Sequence, residues 1–147
     1  MSSGNSTHQY LTFKSGGQKY AISTYNISGI EPKQEIIPII GQPYYVKGNA
    51  DFSGIIVPII DLNLRLGKEK QGYTDSSCII AIRTGDTYAG FIADEANEIV
   101  YIDEQRISRQ SSLLPETVLQ IVVGIADVDN ELVLLLDSGA IVSGISM

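Results

Sequence analysis

An approximate internal repeat constrains the fold of this 147-residue chain more than any other feature of its sequence. Residues 48–61 align without gaps on residues 124–137, and a glycine, an alanine, an aspartate, a valine and a final aspartate coincide. A second match places Tyr20-Ala21 on Tyr88-Ala89, and the two matches occur in the same order in each half. This order predicts two similar units that pack across a shared apolar interface, because each unit is too small to be stable alone.

The residue types indicate that these units are built from strands. Isoleucine occurs 22 times and valine 9 times, and such β-branched side chains favour strands over helices. Two short helices are expected at residues 61–66 and 137–142, and a loop at 111–117. Many short strands at this spacing are typical of an all-β barrel or sandwich fold. Strands are predicted at 9–13, 19–23, 36–40, 45–50, 55–60, 77–83, 87–93, 98–102, 120–126 and 131–136.

Composition argues against several classes of function. The net charge of −7 opposes binding to nucleic acid, because no basic stripe offsets it. Cys78 is the only cysteine and His8 the only histidine, so disulfides, histidine-ligated zinc and histidine-dependent nucleophilic catalysis have no support. No apolar stretch approaches the roughly 18 residues of a membrane span. We predict a cytoplasmic protein that does not insert into membranes and that uses no metal and no cofactor.

One segment suggests catalysis. Leu136-Asp137-Ser138-Gly139 resembles the strand and Asp-Ser-Gly signature of aspartic proteases, in which two carboxylates share a proton and activate water. The repeat offers another interpretation, in which Asp61 and Asp137 are equivalent N-caps of short helices. A barrel that binds a small molecule or a peptide is a further alternative. We predict that the protein is not an enzyme and keep both alternatives open.

Five single residues carry structural expectations. Gly48 and Gly124 predict turns or a close approach of backbone segments. Pro58 cannot donate to a strand ladder, which predicts an edge strand or a bulge at that position. Cys78 opens an apolar run and is expected to be buried and structural. Phe52 lies at a predicted hairpin tip, where it either packs back onto its own barrel or projects as a contact for a partner.

Several motifs follow one another in a characteristic order: residues 9–13, Tyr20-Ala21-Ile22, Ile27 with Ile30, 45–48, 54–62, 90–94 and 135–137. Their order resembles the CheW family of bacterial chemotaxis coupling proteins, from about Gln9 to about Val142. The resemblance implies two five-stranded SH3-like β-barrels and no catalytic activity. It also implies binding to the regulatory domain of a CheA-type histidine kinase and to the cytoplasmic tip of chemoreceptors. We expect a flexible tail at residues 1–8 and a single domain of two barrel subdomains at 9–147.

The chain departs from the family pattern at two places. The usual Asn-Leu-Arg-Gly is Asp51-Phe52-Ser53-Gly54 here, so Ser53 replaces an arginine that the resemblance places at the groove for receptor and kinase contact. The usual Val-x-Glu-Ile is Ile27-Ser28-Gly29-Ile30. These changes predict a divergent coupling protein with an altered receptor or kinase partner. The resemblance assigns partner binding to Ile27, Lys47, Gly48 and Gly54, with Phe52 and Ser53 as altered positions.

Overall fold

The computed structural model describes residues 7–70, 72–109 and 114–145, and this part of the chain contains ten strands and a few short helices. The all-β fold class is therefore confirmed. Short 3₁₀ helices lie at Thr24–Asn26 and Glu104–Arg106. The α-helices are α1 Leu62–Arg65, α2 Glu116–Leu119 and α3 Ser138–Val142. The strands are β1 Thr7–Ser15, β2 Gln18–Ser23, β3 Ile27–Pro32, β4 Val46–Phe52, β5 Ile55–Ile60, β6 Cys78–Thr84, β7 Thr87–Ala93, β8 Glu95–Asp103, β9 Val122–Val128 and β10 Glu131–Leu136.

The strands form two five-stranded sheets that exchange hairpins between the halves of the chain. The sheet orders are β8-β1-β2-β10-β9, which we call barrel A, and β3-β6-β7-β5-β4, which we call barrel B. Barrel A combines the β1–β2 hairpin with the last three strands, and barrel B combines the β6–β7 hairpin with β3, β4 and β5. The two orders are identical when β1 to β5 are exchanged with β6 to β10. Neither half of the repeat therefore completes a sheet by itself.

Each sheet is closed by the segment that follows one of its edge strands. Beyond β3, Ile37 pairs with Asn49 of β4 through two backbone hydrogen bonds of 2.8 and 2.9 Å. Beyond β8, Ser108 pairs with Ile125 of β9 through two hydrogen bonds of the same lengths. Asn49 and Ile125 are equivalent positions of the repeat. The repeat therefore includes the closure of each barrel as well as its strands.

The two closing segments pass so close to the barrels that a side chain at the glycine opposite each of them would overlap a neighbouring atom. A Cβ atom at Gly48 would overlap the backbone carbonyl of Ile37, and one at Gly124 would overlap the Cγ2 methyl of Ile107. The close backbone approach predicted at Gly48 is confirmed. At Gly124 the nearest atom belongs to a side chain, and the carbonyl oxygen of Ser108 lies at 3.4 Å. The same position of the repeat is therefore more tightly confined in barrel B than in barrel A.

Three apolar clusters hold the molecule together. Barrel A contains a cluster that includes Val133 and Leu135, and barrel B contains one that includes Val57 and Ile59. The largest cluster combines side chains of both barrels, among them Phe13, which lies 5.1 Å from Phe91 between ring centroids. The shared apolar interface is confirmed. Complete burial of an aromatic side chain such as Phe13 contributes about 1.5–3 kcal/mol, so this shared cluster joins the barrels into one body.

Several predicted boundaries are wrong. Residues 36–40 contain Pro38, which cannot donate to a ladder, and they form only the Ile37 bridge instead of a strand. The strand Ile27–Pro32 was not predicted, because Ser28-Gly29 obscures its alternation. The predicted loop at 111–117 overlaps helix α2, and residues 111–113 lie outside the described part of the chain.

The predicted tail extends two residues too far. Strand β1 begins at Thr7, where Thr7 pairs with Asp103 and His8 with Ile102 of β8. Residues 1–6 lie outside the described part of the chain. The single domain expected over residues 9–147 remains a prediction.

Two single-residue expectations were also wrong. Pro58 lies on β5, which is flanked by β4 and β7, so its strand is not an edge. It lies opposite Asn49, whose backbone bonds to Ile37 instead, and pairing with β7 begins only at Ile59, so no ladder bond requires its missing N–H. Cys78 is only half-buried, because it lies at the beginning of β6.

Candidate partner-binding surface

The structure divides the predicted site residues between two ends of barrel B. Phe52, Ser53 and Gly54 form the end of β4 and the turn to β5, while Lys47 and Gly48 lie at the other end of β4. Ile27 begins β3, where it packs against the shared apolar cluster. The six residues therefore do not form one site.

A tight turn places Ser53 at the exposed tip of the β4–β5 hairpin. Ser53 has a φ of 54° and Gly54 a φ of 91°, so both residues are left-handed, as a two-residue hairpin loop of type I′ requires. Oδ1 of Asp51 accepts a hydrogen bond from the Gly54 amide at 2.7 Å and holds the turn. A left-handed conformation is unfavourable for serine, so this turn is maintained by its surroundings.

Phe52 packs back onto its own barrel and at the same time lines a groove. Its ring contacts the barrel B cluster, and Cε2 lies 3.6 Å from the position that a Cβ atom of Gly90 would occupy. Phe52 as a whole is half-buried. The groove beside it, which we call the Phe52 groove, has a volume of about 190 Å³. It is lined by Ser28, Gly29, Glu31, Phe52, Ser53, Ile55, Val57, Ala81, Tyr88 and Ala89.

A cavity of about 450 Å³ lies beside Ile27 and contains two residues that sequence reasoning missed. Tyr25 is 92% exposed, and Arg83 holds its guanidinium 5.2 Å from the ring centroid of Tyr88. Arg83 also donates from Nε to the carbonyl of Gly85 at 2.9 Å. Because Tyr88 lines the Phe52 groove, Arg83 brings a cation near the region where Ser53 lacks one. Arg83 is distant from Ser53 in sequence, so no local motif pointed to it.

Two exposed isoleucines extend the apolar surface of the β4–β5 hairpin. Ile55 and Ile56 are 51% and 58% exposed, and Ile55 also lines the Phe52 groove. Successive side chains of a strand point to opposite faces, so adjacent isoleucines cannot both enter one core. Ile59 and Ile60 of the same strand are also adjacent, yet both are completely buried in different clusters, so a pair of adjacent isoleucines did not identify this surface from the sequence.

A β-bulge determines the position of Lys47. The pairing of β4 with β5 skips Lys47 between Val46 and Gly48, and the pairing of β9 with β10 skips Val123 in the same way. A bulge leaves its extra residue unpaired and redirects its side chain. Lys47 is half-buried and lines a separate cleft on barrel B.

The aspartates of the repeat are helix caps. Asp61 accepts a hydrogen bond from the Leu64 amide at 3.1 Å, and Asp137 accepts one from the Ala140 amide at 3.1 Å. The capping interpretation of both residues is therefore confirmed. Among the described residues no group of three or more histidine, cysteine or acidic side chains is arranged to hold a metal ion.

Burial raises the pKa values of two groups that do not line the Phe52 groove. Burial raises the pKa of the Cys78 thiol, and the negative charge of Asp94 raises it further, while a backbone hydrogen bond to Ala96 lowers it. Burial also raises the pKa of the Tyr10 hydroxyl. A raised thiol pKa disfavours the reactive thiolate, so Cys78 is poorly suited to nucleophilic chemistry.

These features define a class: a small all-β protein of two interlocked barrels, with its grooves on the outer surface. No helix in the described ranges is long and apolar enough to cross a membrane. The sequence model of the CheW-like domain family matches residues 9–146 of this chain. The chain therefore belongs to the CheW-like domain family.

Individual proteins agree with this assignment. Chemotaxis protein CheW of Bacillus subtilis (strain 168) is 29% identical over 131 residues, which cover 89% of this chain and 84% of that protein. Chemotaxis protein CheW of Thermotoga maritima is 25% identical over 139 residues, covering 95% of this chain and 90% of that protein. The crystal structure of scaffolding protein TtCheW from Thermoanaerobacter tengcongensis matches with a TM-score of 0.79 at 26% identity, covering 89% of this chain and 84% of that chain.

Proposed function

We propose that this chain is a non-catalytic coupling protein that joins the regulatory domain of a CheA-type histidine kinase to the cytoplasmic tip of chemoreceptors. It acts in the cytoplasm, at receptor arrays. The observation that carries the proposal is the β4–β5 hairpin of barrel B, where the segment at the position of the family motif, residues 51–54, forms an exposed turn beside the Phe52 groove. The names of the relatives, chemotaxis proteins and a scaffolding protein, point in the same direction.

Coupling of this kind is a free energy shared between two interfaces of one rigid body. The shared apolar cluster supports this role, because it joins the two barrels through side chains such as Phe13 and Phe91. A transient interface of roughly 1,200–1,600 Å² with a micromolar Kd corresponds to about −8 kcal/mol. The loss of one charged contact, about 1.5–3 kcal/mol, would therefore change which partner is bound.

The Phe52 groove favours a divergent partner. Ser53 is too short to replace a guanidinium, the Asp51 carboxylate is engaged with the Gly54 amide, and Glu31 adds a negative charge to the lining. The lining of the groove therefore lacks the cation of the family pattern, although Arg83 lies over the ring of Tyr88, one of the lining residues. We expect that a receptor tip or kinase domain that fits this groove differs in charge from the usual partner.

A binding titration tests the proposal. The purified chain is titrated with kinase regulatory domains and receptor tips from the same cell, and we expect a micromolar Kd for at least one kinase domain. Absence of binding to every kinase domain, or to every receptor tip, would overturn the coupling function.

A pair of matched variants tests the role of the hairpin. Ser53→Arg restores the family residue and is expected to strengthen binding to a standard receptor tip about tenfold. Asp129→Arg introduces arginine at the equivalent turn of barrel A, where φ is also 54°, and is expected to leave that binding unchanged. Equal effects of the two variants, or no gain with Ser53→Arg, would contradict the proposed role of the Phe52 groove.

A further inference from the structure

A second cleft lies on barrel B, at the end of β4 away from the Phe52 groove. It has a volume of about 680 Å³ and is bounded by the connection from β3 to β4 and the connection from α1 to β6. This volume is within the range of about 300–1,000 Å³ that is typical of ligand sites. We call it the lysine cleft. It is lined by Lys33, Gln34, Glu35, Ile36, Pro38, Tyr44, Lys47, Leu64, Lys70 and Tyr73.

The walls of the lysine cleft are held together by contacts between the two connections. The Tyr73 hydroxyl accepts a hydrogen bond from the Gln34 amide at 2.7 Å and donates one to the Gln34 carbonyl at 2.8 Å. Nζ of Lys33 forms an ion pair with Asp75 at 3.1 Å and lies 5.2 Å from the ring centroid of Tyr73. These contacts define the shape of the cleft before any ligand binds.

The charge of the lysine cleft is opposite to that of the whole molecule. The chain has a net charge of −7 and only 10 lysines and arginines, yet three lysines and a single carboxylate, Glu35, line this cleft. Lys33 is neutralised by Asp75, whereas no ion pair of Lys47 or Lys70 occurs among the described residues. A local positive charge on an acidic protein attracts acidic partners selectively.

The rest of the lining is apolar and aromatic. Ile36 packs against the barrel B cluster and Leu64 against the shared cluster, so both are held in fixed positions. Tyr44 is 74% exposed, and its hydroxyl donates to the Leu64 carbonyl at 3.3 Å. Solvent-exposed ion pairs contribute only about 0.2–1 kcal/mol each, so a ligand of this cleft needs apolar contact as well as negative charge.

We propose that the lysine cleft binds an acidic peptide segment of a partner protein. An apolar side chain of the segment lies against Ile36, Leu64 and the Tyr44 ring, and its carboxylates pair with Lys47 and Lys70. The Phe52 groove lies at the other end of β4, so both surfaces can be occupied at once. Because the resemblance also assigns Lys47 to partner binding, the proposal rests on the proposed function at this residue and adds the chemistry of the partner segment; it does not use the hairpin residues Phe52, Ser53 and Gly54.

The test uses the full chain and synthetic peptides. One peptide combines glutamates with a leucine, a second replaces the glutamates by glutamines, and a third replaces the leucine by serine. We expect NMR shift changes at cleft residues with the first peptide, and binding that weakens as salt rises to about 0.15 M. Equal binding of the glutamine peptide, or shift changes confined to residues outside the cleft, would overturn the proposal. Equal binding of a simple dicarboxylate would replace the peptide by a small anion and would also overturn it.

Variants assign the contacts. Lys47→Gln is expected to weaken binding of the acidic peptide about fivefold, and Lys14→Gln, on barrel A, is expected to leave it unchanged. Thermal unfolding of both variants shows whether they remain folded, and Lys70→Gln repeats the test on a lysine outside the strands. Phe52→Val is expected to have no effect on the peptide, which separates this result from failure of the proposed coupling function. If Lys47→Gln and Lys70→Gln both leave the affinity for the acidic peptide unchanged, the proposal is contradicted.

Discussion

Barrels A and B have the same topology but different surfaces. Both have the same strand order, the same closure by a returning segment, the same bulge and the same aspartate cap before a short helix. They differ where side chains leave the common framework. The bulge carries Lys47 in barrel B and Val123 in barrel A, and the hairpin ends in Phe52 and Val128 respectively. The comparison indicates that repeated residues maintain the barrel, whereas unequal ones mark different surfaces.

The use of charge near the bulges differs as well. In barrel A, Arg109 donates from Nη1 to the Val123 carbonyl at 2.7 Å and pairs with Glu104 at 2.9 Å. Its charge is thus engaged within the molecule. In barrel B, Lys47 has no ion pair within the described ranges. A cation that satisfies no internal partner is the more suitable group for an external one.

The largest expected effect is a difference in unfolding free energy between alanine variants of Gly48 and Gly124, which are equivalent positions of the repeat. Gly48→Ala places a methyl group against the Ile37 carbonyl, which is fixed by its bridge to Asn49, and we expect a loss of about 3 kcal/mol of unfolding free energy. Gly124→Ala meets the Ile107 side chain, which can change rotamer, and we expect a loss of about 1 kcal/mol. Urea unfolding of both variants gives the comparison. Equal losses would contradict the tighter confinement in barrel B.

The helix caps are predicted to have intermediate effects. Asp61 is completely buried and Asp137 is exposed, although they form the same hydrogen bond. We expect Asp61→Ala to cost about 2 kcal/mol and Asp137→Ala about 1 kcal/mol, measured by thermal or urea unfolding. Asn is also a good N-cap residue, so the exposed cap variant Asp137→Asn serves as a control and should retain most of the stability. A larger loss at Asp137 than at Asp61 would refute this order.

The smallest effect concerns the hairpin turns. Ser53 and Asp129 have the same φ of 54°, and asparagine and aspartate tolerate this conformation better than serine. We expect Ser53→Asn to stabilise the protein by about 0.5 kcal/mol, and Asp129→Ser to destabilise it by a similar amount. The change in urea midpoint at constant slope measures both. Effects of the same sign would show that the two turns are not equivalent.

Most strands of the fold could be predicted from the sequence, but not which strands pair with each other. Alternation and turn residues predicted the hairpins, and the repeat predicted the equivalence of Asp61 and Asp137. The exchange of hairpins between halves could not be predicted, because a strand pattern does not specify which distant strand it pairs with. Residues 36–40 were misassigned for the related reason that an apolar run does not identify its structure when Pro38 interrupts it.

The candidate site was predictable only where it is local in sequence. The turn of Ser53 and Gly54 followed from four consecutive residues, and the structure places them at one exposed tip. Arg83 and Tyr88 reach the same region from another hairpin. The lysine cleft combines Lys33, Lys47 and Lys70 from three separate segments, and no spacing in the sequence relates them.

The central claim is that the barrels share a framework and that partner binding depends on residues in which they differ. The most direct test exchanges the hairpin residues Phe52 and Val128 and measures the Kd for the kinase regulatory domain by calorimetric titration. We predict that Phe52→Val weakens binding about tenfold and that Val128→Phe leaves it unchanged. Equal Kd values for the two variants, or a larger loss with Val128→Phe, would contradict the account.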